Sequence, residues 1–579
     1  VNAAVVQTLW AQAIVRALAD AGVRVCALSP GSRSTPLALA LAAEPRIDVV
    51  PIIDERAAAF YALGVARATG EPAAIACTSG TAAAHYLPAI VEASAANVPL
   101  VAITADRPPE LHACGANQTI AQVGMYAGFP RAAFDLGAPE PSVTAFRAAV
   151  HKVAQAIAVA RGPRPGPVHV EVPLRKPLEP AAPATDGERA FARDVAAIAT
   201  PHAPAPVLAA DPASIDALAD AIAAEPSGVI AVGAMPVGFG RARQAALVIA
   251  QRAGYPILAE AGSQLRFGPR PDGVTFVDHL EVVLAAGRAP SPRLVVQLGA
   301  EPVAAGWTRL SGARWVVASE WRDPEAAARA VITGDPAATL AALAERLATR
   351  VPAPRAAHAS AWASADARAA AALAAATAAH PRSEVAVIRG VLAALPPNAQ
   401  LQLGNSLPIR VVEHCPGGGA SRAAITQRGA SGIDGLVASA AGAAHAGTPT
   451  ALILGDVSFA HDVGGLIAAR RTRAPLAIVV IDNGGGRIFD SLPIAAAQGG
   501  ADAGDAYARC FLTPPELDVA AVAAAIGARA TVARDADEAA RAVAGALERR
   551  TVTVIHVPVA PTGARDVVTT AIAALQGEP

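Results

Sequence analysis

"PLAIVVIDNGGG" (475–486) sets an unbroken apolar run against an abrupt polar end of Asp482, Asn483 and three glycines. A short run without polar alternation reads as a strand buried on both faces, which calls for a parallel sheet covered by helices. Ligands of such sheets sit beyond the carboxyl ends of the strands, so the polar end is where chemistry belongs. A second run, "TALILGD" (450–456), ends at Asp456. The segment between the two reads as one helix and one strand, a crossover that sets the two strand ends side by side. A carboxylate, an amide oxygen and a free carbonyl in a glycine turn are hard oxygen donors of the kind Mg²⁺ takes. A pyrophosphate could bridge such an ion to nearby helix N-termini. Either residue alone reads more simply as a helix cap or a turn former. The pair at this spacing raises the ligand reading.

The same grammar runs through the chain. "VRVCALSP" (23–30), "IDVVPII" (47–53), "AAIACTS" (73–79), "PLVAITAD" (99–106) and "GPVHVEVP" (166–173) read as strands. Helical patterns separate them, at 35–44, 54–70 and 80–97. A Pro- and Ala-rich stretch at 174–208 reads as a linker. Strands are then expected at 227–235, 255–263, 293–302 and 313–320, followed by an Ala-dominated helix at 353–380. A third region has strands at 399–406, 450–456 and 475–483, a helix with a Gly stop at 432–447, and a strand–helix–strand unit at 530–559. The economical architecture is α/β: three consecutive domains, 1–180, 181–352 and 353–579, with parallel sheets flanked by helices.

Composition narrows the class. A length of 579 residues suits three to four domains at roughly 100–200 residues each. Ala supplies much of the 53% hydrophobic content, and no apolar run approaches the length of a spanning helix. The first residues lack a basic stretch and carry an acid, so a signal peptide is not expected. Five scattered cysteines without a C-x-x-C suggest reduced thiols in a cytoplasmic protein. A net charge of −1 gives no general attraction to nucleic acid or membrane. Anionic ligands must therefore be met by local arginines and backbone dipoles.

The strand ends carry longer motifs: "SPGSRSTPLALA" (29–40), "DERAAAFYALGVARATG" (54–70), "CTSGTAAAHYLPAIVEA" (77–93), "ITADRPPEL" (103–111), "GANQTI" (115–120), "GNSLPIR" (404–410), "RGASGIDGL" (428–436) and "GGRIFDSLP" (485–493). "GDVSFAHD", with Asn483 lying 27 positions after Asp456, resembles the thiamine-diphosphate motif. In order and spacing the whole set resembles the 2-succinyl-5-enolpyruvyl-6-hydroxy-3-cyclohexene-1-carboxylate synthases of menaquinone biosynthesis, members of the thiamine-diphosphate-binding fold. The likeness covers the first and third regions and is loose in the middle one.

The resemblance implies a transferase. It decarboxylates 2-oxoglutarate on thiamine diphosphate and adds the succinyl carbanion equivalent to isochorismate. It implies that Asp456, Asn483 and the Gly485 carbonyl hold Mg²⁺ or Mn²⁺. Glu55 would hydrogen-bond the aminopyrimidine ring and favour the imino tautomer that takes the thiazolium proton. Ile433 would be the wedge that bends the cofactor. Ile488, Phe489 and Leu492 would wall the thiazolium, and Gln118 and Ser406 would also touch the cofactor. Both substrates are polycarboxylates. Arg33, Arg107, Arg410 and Arg428 would pair with them, with Ser32, Asn117, Gln118 and Ser406 as neutral donors. Ser34 or Thr35 could cap the helix after Arg33. A homodimer or homotetramer is implied, with the active site between subunits.

The chain departs from the family pattern at "EPVAAGWTRL" (301–310), where many relatives carry a basic segment. Arg487 stands where neutral residues are common and could replace that charge. An acetolactate-synthase-like or other 2-oxoacid decarboxylase is the alternative within thiamine enzymes. A non-catalytic nucleotide-binding α/β protein is the alternative outside them.

Overall fold

The computed structural model describes residues 1–350, 356–497 and 504–577. The chain divides into two compact units. One comprises Val1–Pro206, Gln427–Gly447 and Asp462–Arg473; the other comprises Val207–Thr426, Thr448–His461 and Ala474–Pro579.

The first unit is built on β1 (Val25–Leu28), β2 (Asp48–Pro51), β3 (Ala73–Cys77), β4 (Leu100–Asp106), β5 (Ala132–Asp135) and β6 (Pro167–Pro173). Their order is β2-β1-β3-β4-β6-β5, and every pairing is parallel. β3, β4 and β6 are buried at each position, as their unbroken apolar runs require. The Glu55–Thr69 helix starts under Asp54, which accepts a bond from the Ala57 N–H at 3.2 Å, and stops at Gly70 with φ 74°.

The expected helix at 80–97 is two helices, Thr81–Ala84 and Leu87–Ala95. Pro88 in the opening turn of the second explains the break, because proline has no N–H to give and crowds the preceding turn. The expected linker at 174–208 contains a helix, Asp186–Ala196, started by a capping box between Thr185 and Glu188. The Pro and Ala content around it obscured the short "TDGE" start signal.

The second unit holds two further parallel sheets. One contains β7 (Gly228–Val232), β8 (Ile257–Ala259), β9 (Phe276–Val277), β10 (Leu294–Leu298), β11 (Ala313–Ala318) and β12 (Ala328–Thr333), in the order β12-β11-β10-β7-β8-β9. The other contains β13 (Gln400–Leu403), β14 (Ala424–Thr426), β15 (Thr450–Gly455), β16 (Leu476–Asp482), β17 (Arg529–Val532) and β18 (Val552–Pro558), in the order β14-β13-β15-β16-β18-β17. The strands without a sequence expectation, β5, β9, β12 and β14, all lie at sheet edges. Edge strands are short or half-exposed and lack the continuous apolar run that marks central ones. The Ala-rich helix runs over Ala356–Ala379; residues 353–355 and the domain boundary expected between 352 and 353 lie outside the described residues. Among the described residues no helix is long and apolar enough to cross a membrane.

Within the first unit, the helix expected at 432–447 runs over Leu436–His445 and lies backbone to backbone with the Glu55–Thr69 helix. A Cβ on Gly64 would sit 1.9 Å from the Ser439 carbonyl oxygen, and one on Gly442 would sit 1.8 Å from that of Tyr61. Neither obstacle is a side chain that could turn aside, so each site is closed to alanine. Gly545, in the Ala536–Leu547 helix, has open space where its Cβ would go. Gly442→Ala is expected to cost about 1–3 kcal/mol or more through overpacking. Gly545→Ala should instead be neutral or stabilising by up to about 1 kcal/mol. Denaturant unfolding of the two variants beside wild type checks the contrast.

Candidate active site

In the second unit, β15 and β16 run side by side with Gly455 opposite Ile481, so Asp456 follows at the level of Asp482, with Asn483 one residue further along. The crossover joining them contains two short helices, Asp456–His461 and Gly465–Ala469, rather than one. Asp456 opens the first of these and is 3% exposed. Its Oδ1 accepts the Val457 N–H at 2.9 Å and its Oδ2 accepts the Gly485 N–H at 2.7 Å. Burial pushes its carboxyl up to about 6, and the neighbouring Asp482 adds to the rise.

Asp482 is engaged elsewhere: it accepts His556 Nε2 at 2.8 Å and the Gly484 N–H at 3.1 Å. The His556 bond holds it below its usual range. Asn483 donates through Nδ2 to Glu384, while its buried Oδ1 has no hydrogen-bond partner. Burial pushes Glu384 up to about 7. Among the described residues no group of three or more His, Cys, Asp or Glu is placed to hold a metal ion. The oxygen set at Asp456, Asn483 and Gly485 is of another kind. An orphaned amide oxygen beside a buried carboxylate fits a hard divalent cation.

The next turn, Arg487–Ser491, leaves Ile488 and Phe489 half-buried, with Phe489 edge-on to Phe511 at 5.4 Å; Leu492 is exposed. Arg487 donates through Nε to the Asn483 carbonyl at 3.4 Å and lies 3.6 Å from Asp490. At the end of β13, Ser406 has φ 69° and its carbonyl accepts Arg410 Nη1 at 2.7 Å.

In the first unit the ends of β1, β3 and β4 gather Arg33, Ser79, Arg107 and Gln118. Arg33 donates to the Leu174 carbonyl at 2.7 Å, and its buried Nε has no hydrogen-bond partner. Arg107 donates to the Ser79 hydroxyl and, at 3.5 Å, to Gln118 Oε1. Burial lowers the affinity of both guanidiniums for their protons, and Arg107 adds to the effect on Arg33. Behind them Asp106 is fully buried, and burial with the Glu171 charge raises it to about 6. Ser32 and Asn117 are exposed. Neither Ser34 nor Thr35 caps the following helix. No side-chain cap bond is made there; their hydroxyls donate to the carbonyls of Gly31 and Ser32.

Glu55 is the first residue of its helix and half-buried. The segment bearing Arg428 and Ile433 is held from both ends by buried carboxylates that its own sequence does not announce. Glu92 accepts the N–H groups of Gly429 at 3.1 Å and Ala430 at 2.6 Å and pairs with Arg67. Asp462 accepts the Ala438 N–H at 2.9 Å, supplying the cap that Gly435 cannot, and lies 3.8 Å from Arg56. Ser79 and Glu92 stand in the motif at 77–93, and Asp462 ends the one at 455–462. Glu92, Asp462 and Glu384 act across large sequence separations that no local pattern shows.

These strand-end sites match two known domains. Residues 10–125 match the thiamine pyrophosphate enzyme N-terminal TPP binding domain and residues 419–557 its C-terminal TPP binding domain. The chain is thus a thiamine-diphosphate-dependent enzyme. The solved benzoylformate decarboxylase of Polynucleobacter necessarius shares the fold, with a TM-score of 0.69 at 16% identity over 95% of this chain and 98% of that one. The 2-succinyl-5-enolpyruvyl-6-hydroxy-3-cyclohexene-1-carboxylate synthase of Sorangium cellulosum is 42% identical, covering 95% of this chain and 92% of the relative. Those of Roseiflexus sp. (39%, covering 94% of each chain) and Geobacillus kaustophilus (37%, covering 95% and 94%) are similar throughout. The chain belongs to the family of these synthases.

The Asp462 environment yields a pH prediction. Burial raises its carboxyl from 3.8 to about 7, so the folded protein holds a proton that the unfolded chain has released. Stability from this group is therefore lost as pH rises across that interval. Asp462→Asn removes the ionisation while keeping an acceptor for Ala438. Its melting temperature relative to wild type is expected to rise between pH 5 and pH 8. A constant difference across that range would contradict the assignment.

Proposed function

We propose that this enzyme decarboxylates 2-oxoglutarate and joins the resulting succinyl unit to isochorismate. The products are 2-succinyl-5-enolpyruvyl-6-hydroxy-3-cyclohexene-1-carboxylate and CO2, a step of menaquinone biosynthesis in the cytoplasm. The observation that carries the substrate class is the Arg33–Arg107 pair: two buried guanidiniums at strand ends in a chain of net charge −1. Desolvated arginines beyond a sheet suit carboxylates, which they grip as forks. A small neutral acceptor, as in an acetolactate-synthase-like reaction, would need fewer cations.

The cofactor, when bound, supplies the electron sink for decarboxylation. Asp456, Asn483 and the Gly485 carbonyl hold Mg²⁺ or Mn²⁺. Glu55 would hydrogen-bond the aminopyrimidine ring and hold a proton at its carboxylate. Ile433, Ile488, Phe489 and Leu492 shape the apolar side of the site, with Gln118 and Ser406 as further cofactor contacts. Arg33, Arg107, Arg410 and Arg428 orient the substrates, with Ser32, Asn117, Gln118 and Ser406. The domain limits are 1–180 for pyrimidine binding, 181–352 for the central domain and 353–579 for diphosphate and metal binding. The working form is a homodimer or homotetramer with active sites between subunits. The two matched domains and the relatives' length-wide similarity support these assignments.

Two variants test the reading. Glu55→Gln should lower kcat with both substrates about 10²–10⁴-fold, the usual weight of a general acid–base group. Undiminished product formation in that variant would sink the mechanism. Arg107→Lys loses the fork but keeps the charge. It should raise one substrate's KM about 10–100-fold, as expected for loss of a charge-assisted hydrogen bond. Turnover of pyruvate in place of 2-oxoglutarate by the wild type would favour the alternative.

A further inference from the structure

We propose that Glu384 is a positioning residue for the divalent cation, acting through Asn483. The inference rests on the reading that Asp456, Asn483 and Gly485 hold that cation. An asparagine side chain has an oxygen end and a nitrogen end, and only the oxygen can coordinate a metal. Which end faces the site is decided by what grips the other. Here Nδ2 donates to Glu384 Oε1, and a carboxylate oxygen accepts but does not donate. While Glu384 is ionised, the flipped amide would set oxygen against oxygen. Glu384 thus turns Oδ1 away from itself, and that buried oxygen is left without a hydrogen-bond partner.

Glu384 is fixed in its turn. It is 1% exposed and opens the Glu384–Ala394 helix, whose cap is Ser383, accepting the Ala386 N–H at 3.2 Å. A Cβ on Gly563 would lie 2.8 Å from the Ser383 Cα, so that glycine lets the chain pass close behind the cap. The helix N-terminus favours a carboxylate at this place. The second oxygen of Glu384 has no hydrogen-bond partner either. Residues behind metal ligands act in two ways: they fix the ligand's orientation, and they add charge that the cation feels. Glu384 can do both, and it stands 99 positions from its partner in sequence.

The test is Mn²⁺ binding, read from the electron paramagnetic resonance signal of free Mn²⁺. The full chain is titrated at saturating thiamine diphosphate, with the protein-free mixture subtracted. Glu384→Leu removes the acceptor and should weaken Mn²⁺ binding about 10–100-fold, the usual cost of losing such a partner. Glu384→Gln keeps one acceptor oxygen while it loses the charge and gains an NH2 group, so it should weaken binding less than the leucine variant. It decides the matter alone should the leucine variant not fold. Asp456→Asn is the control. If it weakens Mn²⁺ binding while both folded Glu384 variants bind as wild type, the role of Glu384 is refuted. If Asp456→Asn binds Mn²⁺ as wild type, the metal-site reading fails, and the inference falls with it.

Discussion

The structure of the first unit depends on one contact: two helices, remote in sequence, that touch through their backbones at Gly64 and Gly442. Side-chain contacts can be remade by other residues of similar size, whereas a carbonyl oxygen where a Cβ would go cannot move without its helix. The contact therefore fixes more than packing. Glu55 stands at the start of one helix, and Ile433 stands just ahead of the other. Asp462 reinforces the pair, since it caps the second helix and faces Arg56, the neighbour of Glu55. Glu55 and Ile433 are thus placed by backbone geometry within a single unit.

Charge is handled by the same economy. With a net charge of −1 the protein has no strong overall field, so concentrations of positive charge are local. Arg33 and Arg107 are stripped of water, with the buried Asp106 behind them. Burying like charges together is unfavourable unless something compensates. Here Asp106 compensates in part, and a carboxylate ligand would complete the balance. Glu92 shows the converse arrangement: a buried carboxylate answered by two backbone N–H groups and Arg67. Charge-assisted bonds of this kind fix a loop more firmly than neutral ones.

Much of this was legible in the sequence. The central strands declared themselves because burial on both faces demands unbroken apolar runs, as in "AAIAC" and "LAIVVI". The strand-end motifs followed from the rule that ligands sit beyond carboxyl ends. Edge strands such as β5 escaped because its exposure alternates and its four residues carry little apolar weight. The Asp186–Ala196 helix escaped because composition outweighed a four-residue cap signal. Glu92, Asp462 and Glu384 were out of reach for another reason. Their partners lie 338, 24 and 99 positions away, and only the folded chain brings them together.

The loop after β16 shows how little of a motif's meaning lies in its composition. Its three glycines are not equivalent. Gly484 has φ 77° with open space around its Cβ position, so conformation alone favours glycine there. Gly485 has φ 119° and would place a Cβ 2.2 Å from the Leu512 carbonyl oxygen, so both conformation and space exclude any other residue. Gly486 has φ −75°, so only space restricts it: a Cβ would lie 2.7 Å from the Phe511 carbonyl oxygen, and its N–H donates to the Leu512 carbonyl at 2.6 Å. The two acids near the loop differ as much. Asp482, the acid inside the motif, spends its oxygens on His556 and Gly484. That leaves the neutral Asn483, turned by Glu384, with a buried side-chain oxygen that no hydrogen bond satisfies. Leaving a buried oxygen unsatisfied is costly, and a hard divalent cation is a partner that fits its chemistry.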